Sequence, residues 1–156
     1  MAQGILYTAQ YRGVAVTTAS DLIEVQVPST NALVLHYVKV GQDSLDADAN
    51  ADVLSIQIKR ATISGSGGTG VTPSPLVFTD PASSCTVERN NSTAAAGTVK
   101  VLDTEAWNVM APYHYLPTPE CRPVFQTGGK IVVALAKAPD ASIDVCLTVC
   151  WEEIGD

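Results

Sequence analysis

Charged residues are scarce in this chain. Only 16% of its 156 residues are Asp, Glu, Lys or Arg, against about a quarter in a typical soluble domain. Basic residues are the scarcer kind, with nine Lys and Arg against 16 Asp and Glu, which gives a net charge of −7. Nucleic-acid binding relies on clustered Lys and Arg, so the composition argues against a nucleic-acid partner. The low charged fraction predicts that part of the exterior is covered by another subunit or partner.

Long apolar runs and leader features are missing as well. No stretch approaches the roughly 18–20 apolar residues that a membrane span requires, so we expect no membrane partner. Residues 1–6 lack a basic region followed by a long apolar segment, and we therefore expect no signal peptide. The expected compartment is a cytoplasm, where thiols stay reduced.

Histidine is nearly absent. His36 and His114 are 78 positions apart, each among apolar or aromatic residues. A metalloenzyme of the cupin type would need a His-x-His pair with further His or Glu ligands. The sequence has no such cluster, so we predict structural roles for both histidines, no metal site and no cofactor.

The four cysteines, Cys85, Cys121, Cys146 and Cys150, lack the spacing of a zinc site. Cys146 and Cys150 share a strand face, but their Cα atoms would lie roughly 13 Å apart at about 3.3 Å per residue. A disulfide needs Cα atoms within about 7 Å, so these two cannot pair with each other. Pairing of either one with Cys85 or Cys121 across strands stays open, and free, half-buried thiols are the default expectation.

Catalytic motifs are also missing. Gly65-Ser66-Gly67 lacks the Gly-x-Ser-x-Gly nucleophile elbow, and the Gly-rich loop around it lacks the Lys-Ser/Thr of a phosphate-binding loop. Glu105 could form a glycosidase pair with Glu152 or Glu153, but nothing in the sequence brings them together. We predict that the chain has no catalytic residues and is not an enzyme.

An acidic loop could suggest a calcium site. Its carboxylates are Asp43, Asp46, Asp48 and Asp52. An EF-hand loop counted from Asp43 would need Gly at its sixth position and Glu at its twelfth, where this chain has Asp48 and Leu54. The loop therefore favours a solvated acidic segment.

Alternation of apolar and polar residues dominates the sequence and predicts β-strands. The longest apolar stripe is Ile143, Val145, Leu147, Val149 and Trp151, and shorter ones lie at 22–27, 54–59 and 131–135. Residues 32–40 are apolar on both faces, which favours a central strand or one covered by a neighbouring subunit. The best helical candidate is the short segment 45–53.

Turn-forming residues separate the stripes. The Gly/Ser run at 65–70 and the prolines that follow it predict a flexible loop around 64–75. Prolines at 112, 117, 119 and 123 fix φ and predict a rigid extended corner over 112–123. The expected fold is one all-β domain over 1–156, a jelly-roll-like antiparallel β-sandwich of about eight strands.

Several segments, in their order along the chain, resemble small virion proteins of tailed phages. They are Tyr-Thr-Ala-Gln-Tyr (7–11), Asp-Leu-Ile-Glu (21–24), Ile-Gln-Ile-Lys-Arg (56–60), Thr-Pro (72–73), Ala-Trp-Asn-Val (106–109), the proline-rich 115–123 and Trp-Glu-Glu-Ile-Gly (151–155). The pattern is similar to that of capsid decoration, or cement, proteins with a jelly-roll-like sandwich. Cys121, inside the proline-rich segment, departs from it.

The resemblance implies a structural protein of the virion that binds the outer surface of a phage capsid and bridges or stabilises neighbouring capsid subunits. Its partners would be the major capsid protein and its own copies, and it would assemble in the host cytoplasm. We expect a symmetric homotrimer, with a dimer as the alternative, since a closed oligomer would cover the two-sided apolar strand.

A second function stays open, a carbohydrate- or receptor-binding module of a virion fibre or head appendage. Sugar-binding sites place an exposed aromatic ring over a sugar face, and Trp107, Tyr113 and Tyr115 are the residues that could supply it. A buried Trp107 would favour the decoration protein, and an exposed one would favour sugar binding.

Overall fold

Twelve strands in two antiparallel sheets make up most of residues 4–43 and 53–155, the part of the chain that the computed structural model describes. Sheet A contains β1 (Ile5–Val16), β3 (Asn31–Gln42), β6 (Ser74–Pro75), β9 (Tyr113–Tyr115), β10 (Val124–Phe125) and β12 (Ile143–Gly155). Sheet B contains β2 (Asp21–Gln26), β4 (Val53–Ala61), β5 (Thr69–Gly70), β7 (Thr86–Asn91), β8 (Lys100–Asn108) and β11 (Lys130–Leu135). The prediction of a single-domain all-β sandwich is confirmed.

The predicted number of about eight strands is wrong, for two physical reasons. Three strands, β5, β6 and β10, are two residues long, too short for any period to appear. Strand β7 has the sequence Thr-Val-Glu-Arg-Asn-Asn, whose single apolar residue gives no alternating pattern. Such strands are defined by the partners they pair with, and a sequence pattern does not contain that information.

The strand order is that of a jelly roll. Sheet A runs β10-β3-β12-β1-β6, with β9 pairing with another part of β3, and sheet B runs β5-β7-β2-β11-β4-β8. Strands β1 to β4 alternate between the sheets, as do β11 and β12, so that β1-β12-β3 faces β2-β11-β4. Strands β6, β5 and β7 extend this arrangement at one side of the sandwich.

The predicted apolar stripes form the core between the sheets. All five residues of the β12 stripe are buried, as are Leu54, Ile56 and Ile58 of β4. At one end of the core, the Trp151 ring stacks on Tyr7, with 6.2 Å between the ring centroids. The central position of β3, between β12 and the β9/β10 edge, agrees with the apolar character of residues 32–40.

A cover over the outer face of sheet B was not predicted. Segments 62–68 and 92–98 pair with each other through bridges between Ile63 and Ala96 and between Ser66 and Thr93, and we call them the arch. Ala95 of the arch packs on an apolar cluster formed by Ala61, Val132 and Ala134. Strand β11 is therefore buried on both faces, where simple alternation predicted one exposed face.

Two sequence predictions fall largely outside the described residues. Of the helical candidate 45–53, only Val53 is described, and it begins β4. Asp46, Asp48 and Asp52 of the acidic loop also lie outside. Within the described ranges, no helix has the length and apolar character needed to cross a bilayer.

Candidate docking surfaces

The two histidines lie at separate places on sheet A. The Nε2 atom of His36 is 3.1 Å from Oε2 of Glu152, while His114 is exposed on β9, opposite Lys39. Across residues 4–43 and 53–155, no group of three His, Cys, Asp or Glu side chains is arranged to hold a metal ion.

All four cysteines have free thiols. Cys85 and Cys150 are buried, and burial raises the pKa of both thiols, which keeps them protonated and poorly nucleophilic at neutral pH. Cys121 is exposed on the corner, and Cys146 is partly buried. The sequence expectation of half-buried thiols describes Cys146 alone.

The candidate carboxylates do not converge. Asp43 accepts two hydrogen bonds from Arg12, at 2.6 Å from Nε and 3.1 Å from Nη2, and this pairing lowers the pKa of the Asp43 carboxyl. Glu105 belongs to β8 at the edge of sheet B, whereas Glu152 and Glu153 belong to β12 in sheet A. Gly65-Ser66-Gly67 forms part of the arch.

The aromatic residues near the corner are part of the packing. Trp107 is 2% exposed, and its indole N–H donates a 2.7 Å hydrogen bond to the carbonyl oxygen of Ala111. Tyr113 is also buried, and its hydroxyl donates to Asp103 at 2.9 Å. Of the three rings that the sequence offered as a sugar platform, only that of Tyr115 is partly exposed.

The proline-rich corner is attached to both sheets. It contains β9 and a short 3-10 helix (Pro119–Cys121), and β10 follows it directly. From sheet B, the Arg60 guanidinium donates a 2.6 Å hydrogen bond to the carbonyl oxygen of Val124 and lies 4.9 Å from the centroid of the Phe125 ring. Leu116 and Val124 are exposed along this edge of sheet A, and we call them the corner patch.

A second apolar surface lies at the opposite edge of sheet A, just after β6. Leu76, Val77 and Phe78 are all exposed, and Phe78 is 98% exposed; we call these three residues the loop patch. The flexible loop predicted from the sequence, around 64–75, ends just before these residues. The available signal was three consecutive apolar residues between Pro75 and Pro81, a combination that indicates a stiff loop with an apolar tip.

Glu153 holds the far end of this loop against β12. Its carboxylate accepts hydrogen bonds from the hydroxyls of Ser83 and Ser84, the latter at 2.6 Å. The Ser84 N–H, the Asn31 amide and the Trp151 indole N–H each donate a further bond of 3.3 Å. The loop is thus fastened by a buried carboxylate that has five hydrogen bonds.

The electrostatic consequence is a lowered pKa for Glu153. Burial by itself would raise the pKa of this carboxyl, but the hydrogen bonds from Ser83, Ser84 and Cys85 lower it more. The carboxylate therefore stays ionised at neutral pH, in its role as an acceptor for the loop.

A cavity of about 330 Å³ opens beside the loop patch. Ile5, Tyr7, Pro81 and Ile154 form its apolar wall, and Asn31 and Glu153 contribute polar groups. Phe78 does not line this cavity, although Pro81 follows it by only three positions.

No protein-family model, curated protein or solved structure matches this chain. The fold and the two apolar patches are therefore the observations from which a function can be argued.

Proposed function

We propose that this chain is a structural protein of a virion that binds the outer surface of a phage capsid and bridges neighbouring capsid subunits. The observation that carries the proposal is the presence of two exposed apolar patches at opposite edges of sheet A. The corner patch has Val124 in β10 and Leu116 directly after β9, and the loop patch follows β6; β10 and β6 are the two ends of the strand order. Four strand spacings separate these edges, or about 19 Å.

A bridging protein needs two separate contact surfaces, and exposed apolar patches are typical of such surfaces. The proline-rich corner and the fastened loop each hold their apolar side chains on a fixed backbone. Binding through a preformed surface loses less conformational entropy than binding through a mobile one. The low charged fraction of 16% also suits a protein whose surface is partly covered in its working state.

The proposed role is non-enzymatic. Both buried cysteines have raised pKa values, the candidate glycosidase carboxylates lie in different sheets, and His36 and His114 are not part of a common cluster. These observations support a binding function over a catalytic one. The acidic net charge of −7 suits a position outside the shell, away from DNA.

The test is co-sedimentation with heads built from the major capsid protein of the same genome. We expect the chain to pellet with expanded heads but not with unexpanded procapsids. Leu116→Ser in the corner patch should weaken this binding, because Leu116 is 74% exposed and its loss leaves the core intact. Absence of binding to either kind of head contradicts the proposal.

The Trp107 side chain separates this role from sugar binding. Trp107→Ala should lower the free energy of unfolding by about 3–5 kcal/mol, as expected for a buried aromatic residue. A sugar-binding platform would instead lose ligand and keep its melting temperature. Thermal melts of Trp107→Ala and the wild type measure the packing role of the indole, and a glycan-binding screen of the wild type distinguishes the two functions, because the Tyr115 ring is partly exposed.

A further inference from the structure

Phe78 is the most exposed side chain of the loop patch, and we call it the anchor. Phe78 is 98% exposed at the tip of a turn in which the Asp80 N–H donates to the carbonyl oxygen of Val77 at 3.0 Å. Exposed single apolar residues are common, but three in succession with a phenyl ring at the tip are not. Aromatic side chains of this kind dominate the binding energy of many interfaces.

The backbone that presents Phe78 is fixed at both ends. On one side, the Leu76 N–H donates to the carbonyl oxygen of Leu6 at 2.9 Å. On the other, the Tyr7 hydroxyl donates to the carbonyl oxygen of Pro81 at 3.0 Å, and Glu153 holds the serines that follow. The loop is therefore preorganised, which reduces the entropy lost when it docks.

The cavity beside the loop provides a matching receptor. An enclosed apolar cavity of about 150 Å³ is sufficient to hold benzene; this cavity has a volume of about 330 Å³, opens to solvent and combines an apolar wall with polar groups of Asn31 and Glu153. Its wall of Ile5, Tyr7, Pro81 and Ile154 suits a phenyl ring. The anchor cannot fill the cavity of its own chain, because Phe78 points into solvent and is absent from the lining.

Anchor and cavity therefore lie on one patch of the same molecule. A surface that contains both a projection and its complementary hollow is self-complementary, and a two-fold axis lets each copy insert its projection into the other. Copies with a net charge of −7 repel one another at long range, but residues 74–84 carry a single charged side chain, Asp80. Depletion of charge is typical of the central part of an interface.

We infer that this chain forms a two-fold symmetric dimer in which Phe78 of each copy occupies the cavity beside Pro81 of the other. The inference rests on the proposed function and deepens it: the loop patch contacts a second copy of the chain, and the two corner patches of the dimer supply the two capsid-contact surfaces. A dimer built in this way leaves both corner patches free, so that one dimer can contact two capsid subunits. The isolated chain is enough to test it, so failure of head binding and failure of dimerisation are separate results.

The experiment is sedimentation velocity of the isolated chain over a range of micromolar concentrations. The wild type should be a dimer. Phe78→Ser should weaken the dimer by about 30-fold or more, the effect of losing an interface hot spot, while its circular dichroism spectrum stays that of the folded wild type. Leu116→Ser is the matched control, an exposed apolar residue at the opposite edge, and should remain dimeric.

A second variant fills the cavity and leaves Phe78 unchanged. Ala82 lines the cavity and is exposed, so Ala82→Trp should obstruct the cavity and produce a monomer. An equimolar mixture of Phe78→Ser and Ala82→Trp retains one intact anchor and one intact cavity per pair. The mixture should therefore associate more strongly than either variant alone.

Three results would overturn the inference. They are a wild-type chain that stays monomeric, a dimer that Phe78→Ser leaves unchanged, and a wild-type trimer. A monomeric wild type whose binding to heads is weakened by Phe78→Ser would assign the anchor to the capsid instead.

Discussion

The arch over sheet B and the loop beside β12 are both fastened to the sandwich through a buried glutamate, but with opposite electrostatic results. Glu153 beneath the loop accepts five hydrogen bonds, and its pKa is lowered. Glu24 beneath the arch is fully buried, and burial raises its pKa. The two carboxylates differ in the number of donors around them.

Glu24 has few donors. Its Oε2 atom accepts from the Gly65 N–H at 2.8 Å and from the Asn91 amide at 3.2 Å. Its Oε1 atom has no partner with hydrogen-bond geometry among the described residues, although the Ser64 hydroxyl is close enough to lower the pKa somewhat. A buried charge is tolerated when its hydrogen bonds are complete, so the pKa of Glu153 is lowered, whereas burial outweighs the hydrogen bonds of Glu24 and raises its pKa.

Asp21 belongs with Glu24 in this comparison. It is buried under the other half of the arch and accepts from the Ala95 N–H at 2.5 Å. Burial raises its pKa, against lowering by the Ala95 N–H and Lys59. The arch thus rests on two carboxylates whose pKa values are raised, and the loop on one whose pKa is lowered. Phe78, the anchor of the proposed dimer, belongs to the loop, and the carboxylate beneath the loop has more hydrogen bonds than either carboxylate beneath the arch.

Replacing each glutamate by glutamine tests this difference and has the largest expected effect on the free energy of unfolding. Glu153→Gln should lower the free energy of unfolding by about 1.5–3 kcal/mol, because hydrogen bonds to a charged acceptor are lost and an amide is placed against donors. Glu24→Gln is the matched control and should change it by less than about 1 kcal/mol. Its amide oxygen can still accept from Gly65 and Asn91. Urea denaturation at pH 7 measures both, and equal losses would contradict the comparison.

The packing of the arch is tested by a pair of glycines. A Cβ added at Gly68 would lie 2.0 Å from the Asn91 Oδ1 atom and 2.7 Å from the Arg89 carbonyl oxygen. Gly68→Ala should therefore cost about 1–3 kcal/mol through overpacking. Gly70→Ala is the control, because its Cβ meets no described atom within 4 Å.

Chemical denaturation of the two glycine variants decides whether the Gly-rich segment is packed. The sequence predicts a flexible loop around 64–75, and a mobile arch would accept both alanines equally well. A loss confined to Gly68→Ala would mean that the arch is held against Asn91.

The sequence predicted the parts of the fold that depend on local periodicity. The stripe on β12 and the one on β4 are buried as expected, because alternation reports which face of a strand meets the core. The arch could not be predicted, because the cluster that contains Val132 is covered on its outer side by Ala95, 37 positions away. No window of sequence contains that pairing.

The two docking surfaces also differ in how far the sequence indicates them. The prolines predict a rigid corner over 112–123, since the fixed φ is a property of each proline alone. The exposure of the loop patch could not be predicted, because it depends on which surfaces the rest of the chain covers. Leu-Val-Phe at 76–78 could equally have been a short buried strand.

The smallest expected effect is an opposite pH dependence of the two glutamates. A lowered pKa in the folded state means that Glu153 contributes stability above its unfolded pKa of about 4.3, and the contribution is lost as pH falls through the folded value. The raised pKa of Glu24 has the reverse sign, so the folded state takes up the proton first. The ionised Glu24 carboxylate destabilises the fold at neutral pH, and this effect is lost as the pH falls from its folded-state pKa towards the unfolded pKa of about 4.3.

The comparison of each glutamine variant with the wild type isolates one carboxyl from the others. The stability deficit of Glu153→Gln should shrink below about pH 4.3, because the wild type there loses what the variant already lacks. For Glu24→Gln, the wild type should gain stability relative to the variant while the pH is still above about 4.3, because Glu24 takes up its proton at the raised folded-state pKa. Urea denaturation in steps from pH 7 to pH 3 measures both differences. Curves that move in the same direction for the two variants would mean that the donors around Glu153 do not set its ionisation.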